Sequence, residues 1–238
     1  RVTEVTDKVP EAQQLVGHLG AIFNIRLYFN GTAALSASDD RTVRLWALEA
    51  SGWNCISTCR GHGCRVWDAV LAPIKEPHGI PWKEGWCIVS ASEDSVVRIY
   101  SLQGMVLREL QGHQTRGVRC LEVLQDFTKN DATVVPTAGL PAVASCGEDG
   151  AVKLWPAEGW QSTDGGQVEM KIWQVPEPSD WIREVVLLSH HQALVATNFG
   201  KVYRLQISPE AVSAPGDAGV TSELLFYDAN ACITSMSV

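Results

Sequence analysis

Three times in this chain a histidine, a serine and an aspartate recur in the same order. The sets are His18, Ser36 and Asp40; His62, Ser90 and Asp94; and His113, Ser145 and Asp149. These are the residue types of acyl transfer, in which a hydroxyl attacks, an imidazole takes its proton and a carboxylate orients the imidazole. A hydrolytic centre needs one such set, whereas here each set comes with fixed surroundings. Each His follows a Gly (Gly17, Gly61, Gly112), each Ser stands four residues before its Asp, and each Asp stands six before an aromatic (Trp46, Tyr100, Trp155). The aromatics lie 54 and then 55 residues apart, so the pattern is an internal repeat. Residue types kept in register three times at one period belong to a scaffold, and catalysis is not expected from them. His190-His191 is the best remaining acid/base pair, and it reads as a turn between two strands. There is no Gly-rich phosphate loop between a strand and a helix, and no metal-ligand cluster at accepted spacing. No catalytic residue, metal ligand or cofactor is therefore expected.

The elements that carry these residues are strands. "TVRLW", "VVRIY" and "AVKLW" alternate between two faces and are rich in β-branched and aromatic residues. The apolar stretches before them, "TAALSAS", "WCIVSAS" and "PAVASCG", read as neighbouring strands, with acidic pairs and Gly supplying the tight turns between. A further strand follows each Gly-His: "AIFNIRLYF", "RVWDAVLAP" and "VRCLEVL". Each repeat is a small antiparallel sheet that cannot bury both faces alone, and radial stacking of such sheets gives a β-propeller with four strands per blade. The expected blades are residues 17–60, 61–111 and 112–176. A worn fourth copy runs over 177–228, where Gly200 and Val202 match Gly150 and Val152, and Leu205 replaces the aromatic. Residues 229–238 read as the first strand of another blade. A closed ring usually takes about six to eight blades of roughly 40–45 residues. The expectation is therefore an all-β, partial propeller, a piece of a longer protein.

Composition narrows the class. A hydrophobic content of 45% supports a real core, and no apolar run approaches a membrane span. The seven cysteines (55, 59, 64, 87, 120, 146 and 232) contain no CxxC pair. Cys55, Cys59 and Cys64 are close enough to suggest zinc, but they flank a Gly-His, and the remainder fall mostly in strands. Buried free thiols are expected, which matches a reducing compartment and points to the cytoplasm. The net charge of −8 is split, with 13 basic and 12 acidic residues over 1–120 and 6 against 15 over 121–238. So acidic a chain is not expected to grip nucleic acid unaided. Two long insertions, residues 73–86 and 125–141, read as loops leaving one face. Trp82 and Trp86 in the first are candidate partner anchors, or else cover the bottom of their own blade.

The repeat resembles the WD-repeat family over roughly residues 17–155. That resemblance implies a buried hydrogen-bonded relay in each blade: His18/Ser36/Asp40/Trp46, His62/Ser90/Asp94/Tyr100 and His113/Ser145/Asp149/Trp155. Tyr100 departs from the usual Trp, and Ala47, Ser101 and Pro156 stand where the family's Trp-Asp dipeptide has its Asp. The segments "GHGCRVWDAV", "GHQTRGVRCLEV" and "VATNFGKVYRL" look more narrowly like the WD-repeat subunits that accompany an FtsJ-type methyltransferase. Those complexes methylate the 2'-O-ribose of the tRNA wobble nucleotide.

This resemblance implies a non-catalytic scaffold that binds the methyltransferase and tRNA, while the partner supplies S-adenosylmethionine binding and chemistry. Candidate partner or RNA contacts are Arg65, Trp67, Arg116 and Arg119. Arg65 and Arg116 each lie three residues after a blade His, so adjacent blades would present them side by side to a phosphate or carboxylate. They equally suit salt bridges to turn acids such as Asp39, Glu93 and Glu148, and Trp67 suits packing between blades. The alternative is a generic WD-repeat adaptor for a protein ligand, unrelated to RNA.

Overall fold

The computed structural model describes residues 13–73, 85–114, 117–123, 141–156, 160, 171–208 and 219–228. Among them every regular element is a strand. The first sheet holds β1 (Ile22–Tyr28), β2 (Ala33–Ser38), β3 (Val43–Glu49) and β4 (Gly52–Cys59). The second holds β5 (Val66–Pro73), β6 (Trp86–Ser92), β7 (Val97–Tyr100) and β8 (Val106–Leu110). The third holds β9 (Val118–Val123), β10 (Pro141–Gly147), β11 (Ala151–Pro156) and β12 (Lys171–Gln174). The fourth holds β13 (Ile182–Ser189), β14 (Gln192–Thr197), β15 (Lys201–Ile207) and β16 (Val220–Tyr227). In every sheet the strands pair in chain order and antiparallel, so each sheet is a four-stranded meander, one propeller blade.

The blades stack in sequence. β1 lies against β5, β5 against β9, and β9 against β13, which lines up the first strand of each blade along one side. Three apolar layers fill the gaps between blades. Leu35, Leu45, Leu71, Ile88 and Tyr100 form the first, and Val89, Ile99, Leu121 and Trp155 the second. Leu154, Trp173, Ile182, Val195 and Leu205 form the third. Each buried side chain of this size contributes roughly 1.5–3 kcal/mol, which is why no blade stands alone. Blades two and three come so close at Gly117 (φ +96°) that a Cβ there would sit 2.6 Å from the Glu93 Cα. Only glycine fits such a left-handed position.

Trp86 corrects one reading of the sequence. It does not project from the insertion as a partner anchor; it opens β6, is 8% exposed, and packs edge-on against Phe29 at 5.3 Å. Its apolar ring finds the gap between the first two blades, which composition alone does not reveal. Trp82, Cys232, residues 229–238 and most of both insertions lie outside the described residues.

A polar latch crosses the inner strands. Asp68 on β5 is 2% exposed, and its carboxylate accepts from Asn24 Nδ2 at 2.7 Å and from Arg26 NH2 at 2.9 Å on β1. It also accepts from the backbone N–H of Ala69 at 2.8 Å and of Leu121 on β9 at 2.9 Å. Arg26 continues to the Leu121 carbonyl at 2.9 Å and to Glu122 at 3.4 Å. One carboxylate thus ties three blades together. Removing it takes that acceptor from two backbone donors and from Asn24, and leaves the partly buried Arg26 charge to the longer contact with Glu122. Asp68→Ala is expected to cost about 3–5 kcal/mol, read as a fall in the urea midpoint, with Asp68→Asn costing less.

Candidate functional site

The repeated His, Ser and Asp residues come together in each of the first three blades. In blade one, Trp46 Nε1 donates to Ser36 Oγ at 2.8 Å, Ser36 lies 2.7 Å from His18 Nε2, and His18 Nδ1 lies 2.8 Å from Asp40 Oδ2. Blade three repeats this, with Trp155 to Ser145 at 2.8 Å, Ser145 to His113 at 2.7 Å and His113 to Asp149 at 3.0 Å. In blade two His62 sits 2.6 Å from Ser90 and 2.9 Å from Asp94, and the buried Tyr100 stands in place of the indole. In blades one and three one proton arrangement satisfies the relay. The aromatic donates to Ser, the Ser hydroxyl donates to Nε2, and Nδ1–H donates to the carboxylate, leaving a neutral imidazole.

Each Asp does more than hold its His. Oδ2 accepts from the backbone N–H just after the His: Leu19 at 2.9 Å, Gly63 at 3.0 Å and Gln114 at 2.9 Å. Oδ1 accepts from the N–H two residues after the Asp: Thr42 at 3.0 Å, Val96 at 3.1 Å and Ala151 at 3.1 Å. The carboxylate therefore pins the segment leading into the blade onto the turn between its second and third strands. The Ser36 and Ser145 hydroxyls are bonded on both sides, and all three serines are buried within their strands, which leaves no attacking geometry.

The basic residue of the repeat joins this network, a role the sequence reading did not give it. Arg98 NH1 meets Asp94 at 2.8 Å and contacts His62, while its Nε reaches Glu109 at 2.8 Å. Arg44 NH2 caps the Gly17 carbonyl at 2.8 Å, and Lys153 is 3% exposed at the matching place. Burial pushes His62 and His113 below the ordinary imidazole value against the pull of Asp94 and Asp149. Arg98 and Lys153 push the same way. Burial by itself would raise Asp40 and Asp94, yet their hydrogen bonds outweigh it and hold both well below the usual carboxylate range.

Blade four has no such relay. Val195, Phe199 and Leu205 stand where Ser, Asp and the aromatic stand in the other blades. Asp180, just before β13 and 2% exposed, ties the same two segments in the reverse sense. Its Oδ1 accepts from Trp181 N at 2.9 Å and from Phe199 N at 3.2 Å. His190 and His191 occupy the β13–β14 turn, with His191 Nδ1 3.2 Å from the Ile207 carbonyl.

A second constellation runs across the blades rather than along them. The first strand of every blade carries a bulge at one place, between Ile22 and Asn24, Val66 and Asp68, Val118 and Cys120, and Ile182 and Glu184. The bulged residues are Phe23, Trp67, Arg119 and Arg183. A bulge re-aims its side chain off the ladder, and these four point into one row. Phe23 packs on Trp67 at 4.5 Å, and the Arg119 guanidinium lies over the Trp67 ring at 3.7 Å. Arg119 lies 5.7 Å from Trp181, and Arg183 stacks on Trp181 at 4.3 Å. Cation–π contacts of this kind favour Arg because its planar guanidinium stacks while its edge still donates.

Three sequence candidates fall in or beside this row. Arg65 lies 5.4 Å over Trp67 and bridges Asp39 of blade one at 3.5 Å and Glu93 of blade two at 3.0 Å. Arg119 pairs with Glu148 through Nε at 2.8 Å, and Trp67 packs between neighbours from blades one and three. Arg116 lies outside the described residues. Sequence reasoning missed Phe23, Trp181 and Arg183. The signal was present: in each inner strand an aliphatic residue is followed by an aromatic or an arginine (Ile22-Phe23, Val66-Trp67, Val118-Arg119, Ile182-Arg183). It becomes visible only once the four strands are aligned on their bulges.

Of the cysteines, Cys59, Cys87, Cys120 and Cys146 are buried free thiols, Cys64 is half-buried and Cys55 exposed. Burial pushes Cys59 up to about 12. Among the described residues no group of three His, Cys, Asp or Glu is arranged for a metal ion, and no helix is long and apolar enough to cross a membrane.

Four-stranded meanders stacked side by side, with an Asp–His–Ser–aromatic relay repeated in three of them, define a WD-repeat chain, a partial propeller. The WD domain, G-beta repeat family matches residues 10–47 and 104–156. Within that class the chain is similar to the tRNA (34-2'-O)-methyltransferase regulator WDR6 of Mus musculus, at 28% identity over 84% of this chain and 16% of the relative. The regulator of the same name from Homo sapiens is 27% identical over the same shares. The nuclear distribution protein nudF 2 of Penicillium rubens is 30% identical over 40% of this chain and 22% of its own length. The chain thus spans about a sixth of the length of the regulators it matches.

The relay histidines fix a pH dependence. With folded values below the ordinary 6.5, His62 and His113 leave stability intact above that pH and withdraw it as pH falls and the unfolded chain takes up protons. Glu122 works in the opposite sense, since burial holds it at about 7 against an ordinary 4.5, so its contribution improves as pH falls through that window. Glu122→Gln is therefore expected to steepen the loss of melting temperature between pH 7 and 4.5, which a melting series at fixed salt reads directly.

Proposed function

We propose that this chain belongs to a non-catalytic regulatory subunit that supports 2'-O-ribose methylation of the tRNA wobble nucleotide. It acts as a scaffold, holding an FtsJ-type methyltransferase and the tRNA in the cytoplasm. The observation that carries this reading is the similarity to tRNA (34-2'-O)-methyltransferase regulators over 84% of the chain. The chemistry of the described residues agrees with it. Every His–Ser–Asp set is consumed by the blade that contains it, and the polar groups left facing a cavity are stacking and ion-pairing groups.

The test is a pull-down of the full-length protein from cell extract, read by mass spectrometry. An FtsJ-type methyltransferase is expected among the strongest partners. In a reconstituted reaction the subunit alone should transfer no methyl group from S-adenosylmethionine to tRNA, and adding the recovered partner should yield 2'-O-methylation at position 34. Reproducible recovery of other proteins without any methyltransferase would leave a WD-repeat adaptor unrelated to RNA.

A further inference from the structure

The row of bulged side chains borders a cavity of about 520 Å³ lined by Phe23, Trp67, Arg119, Trp181, Arg183 and Glu184 among others. That volume lies within the roughly 300–1,000 Å³ of pockets that enclose small organic ligands. Its two ends differ. At Trp67 the stack is tight and its charges are cancelled, because Arg65 and Arg119 each pair with an acid at the same turn position of a blade (Asp39, Glu93, Glu148). Blade four has Asn198 at that turn position. Arg183 donates through Nε at 3.1 Å and NH2 at 2.9 Å to the Asn198 carbonyl oxygen. Asn198 thus orients the guanidinium by two bonds without neutralising it. Among the described residues no carboxylate lies within ion-pairing distance of Arg183, and Trp181 lies against it at 4.3 Å.

We propose that this end of the row, Trp181 with Arg183 and Arg119, is a subsite for one unstacked nucleotide of single-stranded RNA. The idea rests on the tRNA reading above and names where the RNA would touch this chain. The base stacks at Trp181, where the row is loosest, and a phosphate takes the in-plane donors that Arg183 has left. Aromatic rings and guanidinium planes are the surfaces on which unpaired bases stack, and stacking tolerates any base. A peptide ligand would call for an apolar well or an open strand edge, whereas this row offers planar faces and charge. The overall acidity of the chain argues against broad phosphate binding, and a single-nucleotide subsite needs only local charge.

The experiment uses the full-length protein and tRNA carrying 4-thiouridine in its unpaired anticodon loop, cross-linked by light and mapped by mass spectrometry. Binding of the same tRNA by wild type, Arg183→Gln, Arg183→Lys and, as a control outside the row, Arg204→Gln is measured alongside. Cross-links on the peptide bearing Trp181 are expected. A loss of about tenfold for Arg183→Gln is also expected, from removal of a charged bidentate donor, with part recovered in Arg183→Lys and none lost in Arg204→Gln. Arg183→Lys keeps charge and bulk, so its behaviour separates a lost contact from a lost fold. Undiminished tRNA affinity in Arg183→Gln, with cross-links elsewhere, overturns the subsite and leaves the tRNA reading standing. If Arg183→Gln binds tRNA normally but fails to capture the methyltransferase, the row is a protein contact and the nucleotide subsite is wrong. Wild-type protein that binds no tRNA, alone or with its partner, removes the reading on which the subsite rests.

Discussion

A carboxylate taken out of water must be surrounded by donors, and in this chain that requirement organises the repeat. Asp40, Asp94 and Asp149 each accept from one imidazole and from two backbone N–H groups on two different segments. The turn between the second and third strands is thereby fastened to the segment leading into the first, which fixes how the meander begins. Each such bond contributes only about 1 kcal/mol net, but an orphaned buried carboxylate costs several times more. The arrangement is consequently all-or-none within a blade, and the neutral imidazole it enforces is unsuited to proton traffic. Catalytic-looking residues here are spent on holding strands.

The same constraint explains how blade four dispenses with the relay. The fastening survives, but the carboxylate moves from the turn to the lead-in segment, where Asp180 accepts from the turn backbone. Once that bond is supplied, Ser, Asp and aromatic positions are released to apolar residues, and Val195 and Leu205 join the core between blades three and four. Asp68 applies the principle across blades, collecting donors from β1, β5 and β9. Packing between blades supplies most of the apolar burial, while these buried acids decide the relative position of the pieces.

Charge follows a similar logic along the row of bulges. Where a turn acid sits beside the row, an arginine stacked on tryptophan is electrically silent and serves to seal blades. The exchange of that acid for Asn198 alters the character of one end without altering its shape, because the amide oxygen receives the guanidinium as a carboxylate oxygen would. Local charge is thus set by the turn of a blade rather than by the inner strand that displays the arginine.

Much of this was legible from the chain. The spacing of Gly-His, Ser, Asp and aromatic gave the repeat, the strand assignments and the grouping of relay residues, because these contacts are local to one blade and recur at a fixed period. The resemblance to methyltransferase-associated subunits rested on short segments of the same repeats. What lay between blades was not legible. The burial of Trp86 against Phe29, the latch at Asp68 and the stack from Phe23 to Arg183 join residues tens of positions apart, with no period to announce them. A one-residue bulge aims each member of the row, and a bulge is a property of strand pairing. The sequence by itself therefore determined the blade and its internal hydrogen bonds. Only the tertiary structure decided which side chains of successive blades meet, because that depends on register and stacking, which no single repeat encodes.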